Sequence, residues 1–343
     1  MKKTILLFTT ALLLGSSLSA QTNDHDHYVQ EGIKLYDQGN YDAAIEQYNK
    51  ALAIDKKSPA ANYEMSNTYF HLKNYDKAIS YSEKVISANN KYVDQAYIIK
   101  GSAQDMAGKP KDAIKTYKKA IKDFPDNHLL YFNLGYTAYK IKETKEAMQA
   151  LEKAVIIKPS HASSHLLLAY VMDEQGSRVR SMLCLYNFLL LEPKGNRAEA
   201  AYKMLNALLR KGVRKESGNT ISITLPSNSK EPDDFQAAEL MISLLEASKT
   251  VEKNEDKSDE QLFADNTKAF FDLLGSLRKD EKGFWWSYYI DFFYDMSNSG
   301  KTEAFSYYIS QVSGKEPVTQ WLEANKEKID ALSRWYKGYE RKG

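Results

Sequence analysis

The 343-residue sequence has one cysteine, Cys184, and none of its six histidines falls beyond His165. A single thiol closes no internal disulfide, so nothing covalent staples the fold. Flanked by Met182, Leu183 and Leu185, Cys184 reads as a buried packing residue rather than a redox centre. With neither His nor Cys, residues 213–343 cannot build the usual nucleophile–base pairs or soft metal-ligand sets. No GxxxxGK loop is present, and no GxGxxG follows a strand pattern. The run Asp24-His25-Asp26-His27 reads as a solvated lead-in to the first helix rather than a metal site. The pairs Asp233-Asp234 and Asp259-Glu260 stand at helix starts, where the helix dipole accounts for them. The expectation is a protein that is not an enzyme, with no cofactor, no metal and no evident small-molecule ligand.

Long apolar runs are equally scarce. The exception, Ile5 to Leu14, follows Lys2 and Lys3 and precedes Gly15, Ser16, Ser17, Leu18, Ser19 and Ala20. A basic start, a short apolar stretch and small residues before the cut make residues 1–20 a secretory signal peptide. The run is about half of the ~20 residues that a spanning helix needs. The chain is therefore expected to be exported, periplasmic or secreted, with no membrane insertion after cleavage. Excess charge of either sign is missing too. Lys and Arg number 47 against 45 Asp and Glu, and loss of Lys2 and Lys3 evens them. That balance argues against nucleic acid and anionic membranes as general partners, although residues 213–343 are net acidic and the stretch before them net basic.

What the sequence has in quantity is a repeat. From about His25 the same residue classes return every 34 positions or so: small, turn, aromatic or small, aromatic, small. The first unit shows Gly32, Gly39-Asn40-Tyr41, Ala44, Tyr48 and Ala51. Ser66, Tyr69, Asn74-Tyr75, Ala78 and Val85 follow, then Tyr97, Gly101, Gly108, Ala113, Tyr117 and Ala120. A fourth unit shows Leu134-Gly135, Ala147, Leu151 and Ala154, and a fifth Ala169, Gly176, Ser181 and Leu185. Small residues let paired helices approach closely, Gly39, Gly108 and Gly176 end first helices, and Pro125, Pro159 and Pro193 close second helices. Residues 198–211 continue as one amphipathic helix.

This pattern resembles the tetratricopeptide family over about half of the chain. The resemblance implies an all-α fold: a solenoid of about five helical hairpins with a capping helix over residues 24–212, followed by a smaller helical domain at 233–343. Residues 213–232 are expected to be a linker with one short strand pattern at Ile221, Ile223 and Leu225. In the second domain, Ser258 is placed to cap a helix, and Pro317 to Tyr339 reads as the last helix. The segment Phe284 to Tyr294 carries eight aromatic rings, more than one face can hold, so it reads as core.

The resemblance also implies that the first helix of each pair lines a concave groove. Its positions here include Val29, Tyr36, Tyr63, Asn67, Phe70, Asp105, Phe132, Asn133, Tyr136, Tyr139, Leu166 and Tyr170. No Lys recurs among them, which disfavours clamping of a terminal carboxylate. The expected partner is another protein or peptide of the cell envelope, gripped by Tyr and Phe anchors with Asn67 and Asn133 on its backbone. The alternative is a carbohydrate-binding accessory or enzyme whose active part is the aromatic C-terminal domain.

Overall fold

The computed structural model describes residues 24–216, 221–224, 233–250, 256–278 and 283–341. Residues 1–20, expected to be a leader, lie outside them. Among the described residues no helix is long and apolar enough to cross a membrane. The chain is overwhelmingly helical and forms two compact units that divide between Glu143 and Thr144.

The first unit holds helices α1 (24–37), α2 (Tyr41–Ile54), α3 (Pro59–His71), α4 (Tyr75–Ser87), α5 (Val93–Met106), α6 (Pro110–Asp123) and α7 (His128–Lys140). Each packs on the next in sequence, and first helices also touch the next first helix, α3 on α5 and α5 on α7. Caps start several of these helices. The Ser58 hydroxyl accepts from the Ala61 amide at 3.2 Å, the Asn74 side chain from Lys77 at 3.2 Å, and Pro59 and Pro110 occupy first-turn positions where a missing N–H costs nothing.

Close approach within a hairpin follows from paired sizes. A Cβ at Gly101 would lie 2.5 Å from Cε1 of Tyr117, and one at Gly32 would lie 2.3 Å from the same atom of Tyr48. The tyrosine ring fills the space that glycine leaves, and both rings are essentially buried. In the second repeat Ser66 and Ser82 share the same two positions, both fully buried, so a medium pair replaces small with large. The turn between helices needs a left-handed residue. Gly39 and Gly108 supply it in the first and third repeats, and Lys73 (φ 59°) and Lys142 (φ 63°) supply it in the second and fourth, at the cost that any side chain with a Cβ carries there.

The second unit begins with α8 (Thr144–Ile157), α9 (Ala162–Glu174), α10 (Arg178–Leu191) and α11 (Asn196–Arg210). A hairpin of β1 (Val213–Lys215) and β2 (Ile221–Ile223) follows, then α12 (Asp233–Ala247), α13 (Asp259–Leu277), a π-helical turn at Trp285–Ile290, α14 (Asp291–Asn298), α15 (Thr302–Ser310), α16 (Glu316–Ala324) and α17 (Lys326–Gly338). The strand pattern at 221 is real. Its partner is Val213–Lys215, antiparallel with Val213 opposite Ile223, so this part of the expected linker is paired backbone.

The compact units divide earlier than the residue 212/213 boundary read from the repeat. The reason is α10. From Arg178 to Leu190 every residue except Arg180 is buried, and a helix apolar on all sides must be covered on all sides. It packs on α9, α11, α12, α15 and the π-turn, which makes the second helix of the fifth repeat the central rod of the second unit. Phe188 fits there, where the repeat pattern favours a small residue, because α10 is surrounded rather than stacked on one neighbour. The last helix expected at 317–339 is two helices, broken at Asn325, whose amide side chain donates to the Trp321 carbonyl at 2.9 Å.

Candidate functional site

The inner-face positions of the repeat helices divide by what covers them. Val29 and Leu166, placed in the groove by the repeat register, are buried and belong to packing. Asp105 is also buried, with the Lys140 ammonium 2.9 Å from its carboxylate. Tyr36 is half-buried. Its ring meets Tyr41 and His71 edge-on at 5.3 and 5.9 Å, its hydroxyl has the Asn67 side chain as a partner, and burial raises its ionisation above the ordinary tyrosine value. Tyr63 stacks on Tyr92 with ring centres 5.2 Å apart, and Phe70 packs on Tyr75 and against Ala78, Ile99 and Ala103. These three rings therefore hold neighbouring helices together, a role that also lies on the inner face.

The α7 positions are different. Leu129, Phe132 and Tyr136 follow at spacings of three and four, so they stand above one another on a single helix face. Leu129 keeps 38% and Tyr136 44% of its surface exposed, and Phe132 stacks on Tyr136 at 6.5 Å. The Lys140 ammonium lies 5.6 Å from the Tyr136 ring centre, one turn further on. Tyr139 is half-buried with Lys142 over its ring. Asn133 spends an amide hydrogen on the Leu129 carbonyl of its own helix, leaving its side-chain oxygen for a ligand. Tyr170, partly exposed on α9, belongs to the second unit.

Two groups went unread in the sequence. Glu64, on α3 beside Tyr63, is a partly buried carboxylate whose pKa is pushed up to about 7, chiefly by burial and further by Asp37. Leu129 escaped because its exposure depends on what its neighbours leave open, not on its residue type.

In the second unit the aromatic segment is core. Trp285, Trp286, Tyr288, Tyr289, Phe292 and Phe293 are each at most 8% exposed. Trp285 stacks on Tyr289 at 5.5 Å, and the Arg180 guanidinium lies 5.4 Å from its ring centre. Its ring is thus covered by protein, which removes the stacking platform that a sugar would need. Behind it, His165 is fully buried: Nε2 donates to the Pro159 carbonyl at 3.0 Å, and Nδ1 accepts from the Tyr289 hydroxyl at 2.6 Å. Burial, with Arg341 adding, pushes the His165 pKa down to about 3, and burial pushes the Cys184 thiol up. Neither is a reactive group.

His165 makes stability depend on pH. Its folded pKa lies below the unfolded value of about 6.5, so the unfolded chain binds the extra proton between the two. The contribution is fully present above about pH 6.5 and falls by roughly 1.4 kcal/mol per pH unit as pH drops toward 3. Glu64 works in the opposite sense, so the comparison that isolates His165 is wild type against His165→Gln. Urea midpoints should show the variant less stable at pH 7 and the gap closing toward pH 5; a gap independent of pH would contradict a neutral buried imidazole.

Comparison with known proteins gives the class. Residues 32–73 match a TPR repeat profile, and residues 59–92 and 100–162 match tetratricopeptide repeat profiles. RNA polymerase II-associated protein 3 of Rattus norvegicus is 32% identical over 134 residues, covering 38% of this chain and 20% of that protein. A TPR repeat-containing protein of Methanocaldococcus jannaschii is 25% identical over 159 residues, covering 44% of this chain and 28% of its own length. The chain thus spans less than a third of these curated relatives. Among solved structures, the MamA protein crystal structure is 24% identical, with a TM-score of 0.44, over 53% of this chain and 96% of that one. Tetratricopeptide arrays are protein–protein interaction scaffolds. Repeat spacing, glycine–tyrosine hairpin packing and three profile matches together identify residues 32–92 and 100–162 as tetratricopeptide repeats.

Proposed function

We propose that the chain is an exported interaction scaffold of the cell envelope that holds a polypeptide partner on the inner faces of its repeat helices. The observation that carries this reading is the α7 face, where Leu129, Phe132 and Tyr136 form one apolar stripe and two of the three keep more than a third of their surface. A stripe of that spacing matches an amphipathic helix or an extended peptide, and tyrosine is a favoured anchor because it gives large contact area at low entropy cost. Lys140 beside Tyr136 and the open oxygen of Asn133 supply polar contacts at the edge. Export rests on the residue pattern of the leader. RNA polymerase II-associated protein 3 is, by its name, a protein that associates with another; the same kind of role is proposed here with a different partner.

Leu129→Ala combined with Tyr136→Ala tests it. Both side chains are exposed, so stability should move by only about 0.5 kcal/mol. Affinity capture of the partner from envelope fractions should fall by roughly tenfold or more, the loss expected when central anchors are truncated. Tyr63→Ala provides the contrast, because its ring stacks on Tyr92 and its loss should lower the melting temperature. Capture unchanged by the α7 double variant would sink the placement.

A further inference from the structure

The C-terminal aromatic region leaves a second feature that core packing does not use. An open cleft of about 410 Å³ lies between the end of α8 with its following turn and the end of α17 with the residues after it. Its rim carries three cations, Lys158, Lys337 and Arg341, and its wall carries the partly exposed rings of Tyr336 and Tyr339. No acidic side chain lines it among the described residues. Lys158 and Lys337 are exposed and form no ion pair among the described residues. The Arg341 guanidinium donates to two neutral oxygens, the Tyr288 carbonyl at 3.0 Å and the Asn187 side chain, and forms no ion pair with a carboxylate among the described residues.

The walls are fixed before any ligand arrives. Arg341 lies 3.7 Å from the Phe292 ring centre and 4.6 Å from that of Tyr288. The Tyr288 hydroxyl donates to the Val155 carbonyl at 2.8 Å, tying the cleft floor to α8. His165 holds the Pro159 carbonyl, and the Tyr339 hydroxyl donates to Asp295 at 2.7 Å. A preorganised cleft of this size, apolar and aromatic on its walls with convergent like charges at its rim, has the character of a small-molecule site. Three cations without counter-charges favour an anion, and arginine favours a planar oxyanion with two oxygens to offer.

We infer that this cleft binds a small organic oxyanion carried on a planar or apolar body, with the anionic group between Lys158, Lys337 and Arg341 and the ring against Tyr336 and Tyr339. All residues lining it belong to the second unit, whereas α7 belongs to the first.

Titration of the full mature chain with benzoate, phenyl phosphate and benzamide, followed by calorimetry or amide NMR, tests the inference. Benzoate or phenyl phosphate should bind with Kd of about 1 mM or tighter, and benzamide, of the same shape without charge, at least about tenfold more weakly. Which of the two anions binds better tells a carboxylate site from a phosphate site. Lys158→Gln with Lys337→Gln should weaken the better anion about fivefold or more and leave the melting temperature unchanged, since both side chains are exposed. Equal affinity for benzoate, phenyl phosphate and benzamide, unchanged anion binding in the double variant, or no binding of either anion up to about 20 mM would each overturn it.

Discussion

Arg178→Met should destabilise the second unit by about 3–5 kcal/mol, the range found when one member of a buried, hydrogen-bonded charge group is removed. Arg178 opens α10 and is 1% exposed. Its Nε donates to the Leu208 carbonyl at 2.8 Å, which also accepts from the Lys211 amide at 3.2 Å, and its Nη2 to the Leu209 carbonyl at 2.9 Å, both in the last turn of α11. Its Nη1 donates to the Ser243 hydroxyl at 2.9 Å on α12. One planar group therefore joins α10, α11 and α12. Burial lowers its pKa, while Glu239 and Glu246 act to hold the charge in place. Methionine keeps the length of the stem but removes the donors to the Leu208 and Leu209 carbonyls and to Ser243, and the positive charge that faces the buried Glu239. For a unit of this size the loss corresponds to a fall in Tm of roughly 10 °C. Arg178→Lys should lie between, because one ammonium cannot reach three directions at once. A calorimetric shift of about 1 kcal/mol or less for the methionine variant would show that α11 and α12 are held by apolar packing alone.

Phe271→Ala should cost a similar amount, about 3–5 kcal/mol. The ring is fully buried on α13, with Phe293 stacked at 4.6 Å, Tyr186 edge-on at 5.3 Å, and Phe270 and Phe305 each at 6.0 Å. It is the point where α10, α13, α14 and α15 share aromatic contact. Truncation leaves a cavity that rigid rings on all sides cannot close, so the cavity penalty adds to the lost transfer energy. Phe271→Leu should recover most of the loss, and chemical denaturation of the two variants measures both. Equal midpoints for alanine and wild type would place the core elsewhere.

The repeat was legible because its determinants are local. Gly101 and Tyr117 lie 16 positions apart within one hairpin, and the prolines at 125, 159 and 193 each follow a helix that ends two residues earlier. The cap at Ser258 is also read within one turn, and its hydroxyl accepts from Gln261 as expected. What failed to show depends on partners distant in the chain. Arg178 carries a charge and begins a helix, which in isolation means solvent; its burial comes from carbonyls thirty residues away. β1 is Val-Arg-Lys, with no alternation to announce it as the partner of Ile221–Ile223. The apolar circumference of α10 was visible in the sequence, yet the repeat period hid that it needs covering on every side.

The inner-face positions of the candidate site were similarly readable, since register alone puts Tyr36, Tyr63, Phe132 and Tyr136 on first helices. Which of them stay open was not. Tyr63 is taken by Tyr92 and Tyr36 by Tyr41 and His71, whereas Tyr136, with Phe132 of its own helix stacked on it, remains 44% exposed. Competition among rings for one another decides that outcome, and residue type does not encode it. Polypeptide binding on α7 is accordingly the claim that most needs a direct test.

Photo-crosslinking in intact cells supplies it, with p-benzoylphenylalanine introduced in place of Tyr136 on α7 or of Lys115, an exposed residue on α6. Binding on the α7 face predicts one discrete crosslinked polypeptide from position 136 and none from position 115. No product from position 136, or the same products from both positions, would contradict it.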